Sequence, residues 1–110
     1  MNTSYFSKYG NDIHAVSIAG YPPKFYKGRE FKLLAPKKWF FEKYKKDGDE
    51  ESYIQSYTKE VLNVLDPERV YTLLGENSIL LCWEKPDKFC HRHLVAKWFN
   101  ETIGKNVKEI

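Results

Sequence analysis

The sequence predicts a small three-layer α/β fold, with a short, mainly parallel sheet flanked by helices. Two runs, Asp12–Ala19 and Ile79–Trp83, are rich in β-branched or aliphatic residues and poor in charge, as strands buried on both faces are. Segments with helical period lie between and after these runs. The chain has 110 residues, enough for a single core, so 1–110 is expected to be one domain.

Residues 1–11 are polar and aromatic and predict a loop or a short strand with Tyr5 and Phe6 turned inward. The first buried strand follows, with His14 as a packed or edge residue. Gly20-Tyr-Pro-Pro23 ends it, because two prolines cannot continue a ladder. From Lys24 to Lys32, basic and aromatic residues alternate. Ala35-Pro36 opens a helix, with proline at a first-turn position where its missing N–H costs nothing. Trp39, Phe40 and Tyr44 give this helix an apolar side, and Asp47-Gly48-Asp49 breaks it.

Asp49 is the expected N-cap of the next helix, with Glu50 and Glu51 in its first turn. Ile54, Tyr57, Val61, Val64 and Leu65 form its stripe. Asp66-Pro67 repeats the cap-then-proline signal before a short helix carrying Val70, Leu73 and Leu74, which Gly75 ends. The second buried strand, Ile79–Trp83, leads through Pro86-Asp87 into a helix from about Asp87 to Ile103. Leu94, Val95, Trp98 and Phe99 are its expected buried face. Asn106–Ile110 reads as a short edge strand, giving three or four strands in all.

Composition narrows the function classes. A net charge of +3 permits an anionic partner without demanding one. No apolar run reaches membrane-spanning length, so no membrane partner is expected. Two cysteines, with no basic-then-apolar leader at Met1–Tyr9, point to a reducing, cytoplasmic setting.

The chemistry concentrates between Cys82 and His93. Both cysteines lie there, with Glu84, His91 and Arg92. In parallel sheets, ligands bind beyond the carboxyl ends of the strands. The loops Gly20–Lys32 and Cys82–Arg92 both emerge at that edge and are expected to face one cleft.

The segment Leu80-Leu-Cys82-Trp-Glu84 … Cys90-His91-Arg92 resembles the signature of the family known as domain of unknown function 488, in which Cys-x-Glu ends a strand and Cys-His-Arg opens a helix. Val16-Ser-Ile, Pro23-Lys24-x-x-Lys27-Gly28, Leu34-Ala-Pro36 and Leu65-Asp66-Pro67 fit as well, so the resemblance covers roughly 12–110. An arginine common just after the first strand in that family is replaced here by Ala19-Gly20. The resemblance implies a fold and a site rather than a named activity.

Several readings of the site stand beside one another. The first is an anion-binding cleft in an enzyme acting on a nucleotide or nucleic acid. Cys90 would be a nucleophile at a helix start, Glu84 and His91 a proton-handling pair, and Arg92 an anion clamp supported by Lys24, Lys27 and Arg29. It requires no cofactor and no metal. The bland counterpart is a structural Arg92–Glu84 pair with Cys90 simply packed.

The second reading is a metal site using Cys82, Cys90, His91 or His93. The spacing is poor for it, since His91 and His93 point about 200° apart on a helix. A Cys82–Cys90 disulfide is a third reading, with nothing in the sequence fixing the Cα separation it needs. The fourth is a non-catalytic nucleic-acid module. Its lysines and arginine would track a backbone, and Phe25, Tyr26 and Phe31 would stack on bases.

Overall fold

Asn2–Tyr5 (β1), Ala15–Ser17 (β2), Arg29–Glu30 (β3), Ile79–Cys82 (β4) and Lys108–Glu109 (β5) form one all-parallel sheet in the order β3-β2-β4-β1-β5. This is a computed structural model, and it describes residues 1–110. The helices are Phe6–Tyr9 (α1), Lys38–Asp47 (α2), Glu50–Glu60 (α3), Pro67–Leu74 (α4) and His91–Ile103 (α5). The fold is a small α/β one, and no helix is long and apolar enough to cross a membrane.

The two strands expected from their apolar runs are direct parallel neighbours, with Val16 opposite Leu80. The first is shorter than its run, and Ile13 and His14 lie exposed before it. The sheet has five strands rather than three or four, because β1 and β3 carry no apolar signature. In β1 the fully buried side chains are Thr3 and Ser4. The Thr3 hydroxyl donates to Glu109 Oε1 at 2.7 Å, and that of Ser4 to the Ile110 carbonyl at 3.4 Å. Satisfied polar groups can occupy a core without reading as one.

Alternation along the strands divides the core. Val16, Ile18 and Leu80 join Phe40, Tyr57, Val95 and Phe99 in the larger cluster. Ala15, Ile79 and Leu81 face the other way, with Phe6 and Tyr26. Asp49 and Asp66 cap α3 and α4 through the N–H groups of Ser52 and Glu68. Gly104, at φ 64°, ends α5.

Two expected faces are rotated. Tyr53 and Tyr57 are the buried residues of α3, whereas Ile54 and Val64 are exposed. The aromatic packing of Tyr53 and Tyr57 against Phe40 orients this helix. In α2, Phe40 is buried while Trp39 turns out to Glu60.

Tyr57 is fully buried, and its hydroxyl donates to the Leu34 carbonyl at 2.6 Å. Tyr57→Phe keeps the ring and leaves that carbonyl unsatisfied. It is expected to cost about 1–2 kcal/mol in urea unfolding, and an unchanged midpoint would show that the carbonyl has another partner.

Candidate functional site

The carboxyl edge of the sheet is closed by the start of α5. This helix begins at His91, four residues later than expected, because the Pro86–Phe89 stretch stays in turns. Cys90 is therefore the N-cap, in extended backbone, and not a first-turn residue.

Cys82 ends β4 on the same face as Leu80, looking toward α5. It is joined to Cys90 in a disulfide, with the Cα atoms 7.2 Å apart, so neither cysteine is free. The free Cys90 thiol expected from the sequence is thus present only after reduction. The loop between the cysteines folds back far enough for their side chains to meet, which sequence spacing alone does not reveal.

His91 is buried, and its two ring nitrogens have distinct roles. Nε2 lies 2.7 Å from the Ile18 carbonyl, which only accepts, so Nε2 carries the proton. Nδ1 is left as a lone pair 3.8 Å from Cys90 Sγ. Burial is the main cause that lowers the imidazole pKa to about 4. The Ile18 carbonyl opposes the shift, and the charges of Arg92 and His93 add to it. Donor atoms of Cys82, Cys90 and His91 all lie within 4.8 Å of one another.

Arg92 has no exposure, and its Nε and Nη2 donate to Glu109 at 3.0 and 2.9 Å. Its Nη1 points to Cys82 Sγ at 3.6 Å. The expected anion clamp is therefore occupied by a carboxylate of the chain itself, and the partner is Glu109 rather than Glu84. Strand register explains why. Thr3 pairs with both Leu80 and Glu109, which sets Glu109 on the face that α5 covers. Burial raises the Glu109 carboxyl pKa, but the hydrogen bonds from Arg92 and Thr3 outweigh it and hold the group below its usual range. Glu109 was not legible as a site residue, although Val107-Lys-Glu109 alternation places it on the inward side of its strand.

Glu84 is exposed and bonds to neither His91 nor Arg92. His93 turns toward Glu109, its Nδ1 3.9 Å from Oε1, and is not part of the close donor group of Cys82, Cys90 and His91. Arg29 also has a different role. Its guanidinium donates to the Leu73 and Leu74 carbonyls at the end of α4, near the loop that enters β4. It caps a helix at the amino side of the sheet and does not reach the cysteines' edge. Lys24 and Lys27 are exposed. Of the three rings offered for stacking, Tyr26 is buried and Phe31 half-buried, and only Phe25 stands out. The two loops do meet, since Trp83 Nε1 donates to the Tyr21 carbonyl at 2.7 Å.

Fold and side chains together define a small parallel α/β protein with a buried cysteine–histidine cluster where the central strands end. Residues 12–103 match the model of a family described as the active DUF488-N3 subclade, and the chain belongs to that family. Cys82, Cys90 and His91 fall within the matched span, and Glu109 lies beyond it. No curated protein and no solved structure matches the chain.

Breaking the Arg92–Glu109 pair strands a charge in the core. Arg92→Met is expected to destabilise by about 3 kcal/mol, and Arg92→Met with Glu109→Leu by much less. A double-variant loss equal to the sum of the Arg92→Met and Glu109→Leu losses in chemical denaturation would show that the two side chains are not coupled.

A second expectation concerns acid. Unfolded His91 takes its proton near 6.5 and folded His91 near 4. The unfolded state binds more protons between these values, so this contribution to stability is full above 6.5 and is lost as pH falls toward 4. Its size is on the order of 3 kcal/mol. Thermal melts of the oxidised protein between pH 7 and pH 4 should show the loss, and His91→Gln should reduce it. An identical pH dependence in the variant would place the effect elsewhere.

Proposed function

We propose that the chain is an enzyme in which Cys90, once reduced, is the nucleophile and His91 its proton acceptor, acting on an anionic substrate of nucleotide or nucleic-acid type. The observation that carries this reading is the arrangement of His91. One nitrogen is fixed as a donor to Ile18, so the other offers its lone pair to Cys90 Sγ. A thiol paired with an oriented base is the usual way to activate a sulfur nucleophile. A buried imidazolium is unfavourable alone, but the Cys90 thiolate formed beside it supplies the countercharge.

Cys82 fits the role of resolving thiol. The guanidinium of Arg92 beside its sulfur favours the thiolate that leaves when the disulfide is opened. Arg92 and Glu109 are positioning residues here, since Arg92 touches Cys82 and Glu109 holds Arg92. The description of the matched family as an active subclade agrees with a retained reaction centre.

The substrate class is supported by the rim. Tyr21, Phe25 and Trp83 are exposed rings at the loops that follow β2 and β4, with Lys24, Lys27, Lys85 and Lys88 exposed among them. Flat rings and free ammonium groups suit bases and phosphates. The same rim would serve a non-catalytic nucleic-acid module, and Glu84 would then be a rim carboxylate without a part in proton transfer.

The test is alkylation of reduced protein by iodoacetamide at neutral pH. In a Cys82→Ser background, Cys90 should react faster than free cysteine, and His91→Gln should slow it about tenfold or more. If the histidine substitution leaves the rate unchanged, Cys90 has no base there. Single-stranded nucleic acid should bind with salt-dependent affinity. Replacing Lys24 and Lys27 by Gln should flatten the log–log slope by about 0.7 per lysine removed. Salt-sensitive binding without thiol activation would favour the non-catalytic module.

A further inference from the structure

We propose that the reduced site binds one divalent zinc ion through Cys82 Sγ, Cys90 Sγ and His91 Nδ1, leaving one coordination position for solvent or substrate. The inference uses the side chains of the reaction centre but does not depend on their reacting with a substrate.

Three observations carry it. First, the donor atoms of these three residues, contributed by a strand end, a helix N-cap and the first residue of that helix, converge within 4.8 Å. Two thiolates and one imidazole form a donor set that zinc favours. Second, the imidazole is already oriented as a ligand. Its Nε2–H is held by the Ile18 carbonyl, which is the outer-shell bond that metal-bound histidines make, and its free nitrogen faces the sulfurs. Third, the Cα atoms of the two cysteines stand 7.2 Å apart, beyond the usual 4.4–6.8 Å of disulfides. The backbone therefore gives the two sulfurs room to sit side by side as separate ligands.

The local charge is also suitable. Arg92 lies 3.6 Å from Cys82 Sγ, which would repel a cation if it stood alone, but Glu109 pairs it in two places. The two thiolates then balance the divalent ion. With only three protein donors, the site has the composition of a zinc centre that keeps an open position, rather than a closed structural one.

The ion and the disulfide exclude each other, because both use the same sulfur electrons. Opening the disulfide takes two electrons and two protons. A water-soluble phosphine supplies the electrons and becomes its oxide, drawing the oxygen from water. Each thiol then gives its proton to the buffer as its sulfur bonds the metal, which sheds bound water.

The experiment titrates phosphine-reduced full chain with Co2+ as a spectroscopic probe under inert gas, then displaces it with Zn2+. A thiolate-to-cobalt charge-transfer band saturating at one ion per chain, and lost on adding zinc, is the expected result. Oxidised protein should show no band. Cys82→Ser and Cys90→Ser should each weaken the band and lower affinity at least tenfold, and His91→Gln should lower affinity while keeping the sulfur band. Circular dichroism reports whether each variant remains folded. If one does not, chelator reversal and zinc content after gel filtration of the reduced wild-type chain decide the matter.

No band with reduced protein, or equal binding by oxidised and reduced protein, overturns the proposal. Alkylation controlled by His91 without metal binding would sink the zinc site and leave the nucleophile. Metal binding without His91-dependent alkylation would do the reverse.

Discussion

A guanidinium with no access to water must be paired, and the pairing of Arg92 shapes the carboxyl edge of this protein. Glu109 takes two of its nitrogens, and Thr3 takes the same carboxylate from the neighbouring strand. The last strand, the first strand and the start of α5 are thereby tied at one point. With the guanidinium fixed by two bonds, its remaining amino group is held toward Cys82. Removing water from such a pair costs about as much as its attraction returns, so its contribution is to position rather than to overall stability. Cys82 therefore stands beside a charge that is held in place.

The central strand pair and the capped helices were legible because their signals are local. Asp49 and Asp66 act where an aspartate before a first turn acts in any helix. The apolar runs at 12–19 and 79–83 fit only a sheet covered on both faces, and their parallel pairing follows from the helices between them. β1 was scarcely legible, because its inward groups are hydroxyls satisfied by the far end of the chain. A pattern that looks for apolar residues passes over a strand whose core side is polar and fully bonded.

At the site, the concentration of reactive groups between Cys82 and His93 pointed to the right place. Their partners did not follow, because partners are set by register and loop closure. Arg92 was offered Glu84, near it in sequence, and took Glu109. Arg29 stands in a basic stretch, yet its guanidinium serves the carbonyls ending α4. Spacing also read poorly for a metal site, since His91 and His93 point about 200° apart on a helix, and nothing in it fixed the Cα separation that a Cys82–Cys90 disulfide needs. The turn through Pro86 brings the two cysteines together, and a helix starting at His91 rather than Asp87 leaves the chain free to make it.

The two nitrogens of His91 connect the fold to the chemistry. A ring buried beside Tyr57 and bonded to the Ile18 carbonyl has one orientation and one tautomer. The carbonyl belongs to the residue that follows β2, so the central strand pair fixes the direction of the free lone pair. That lone pair faces the Cys90 sulfur of the disulfide. On both proposals the cysteine pair must first be reduced, and the same lone pair would then receive the Cys90 proton or bind the metal. Both cysteines and the imidazole are nearly closed to solvent, and the exposed loop from Trp83 to Lys88 runs between the two cysteines. The Trp83–Tyr21 hydrogen bond holds that loop to its neighbour.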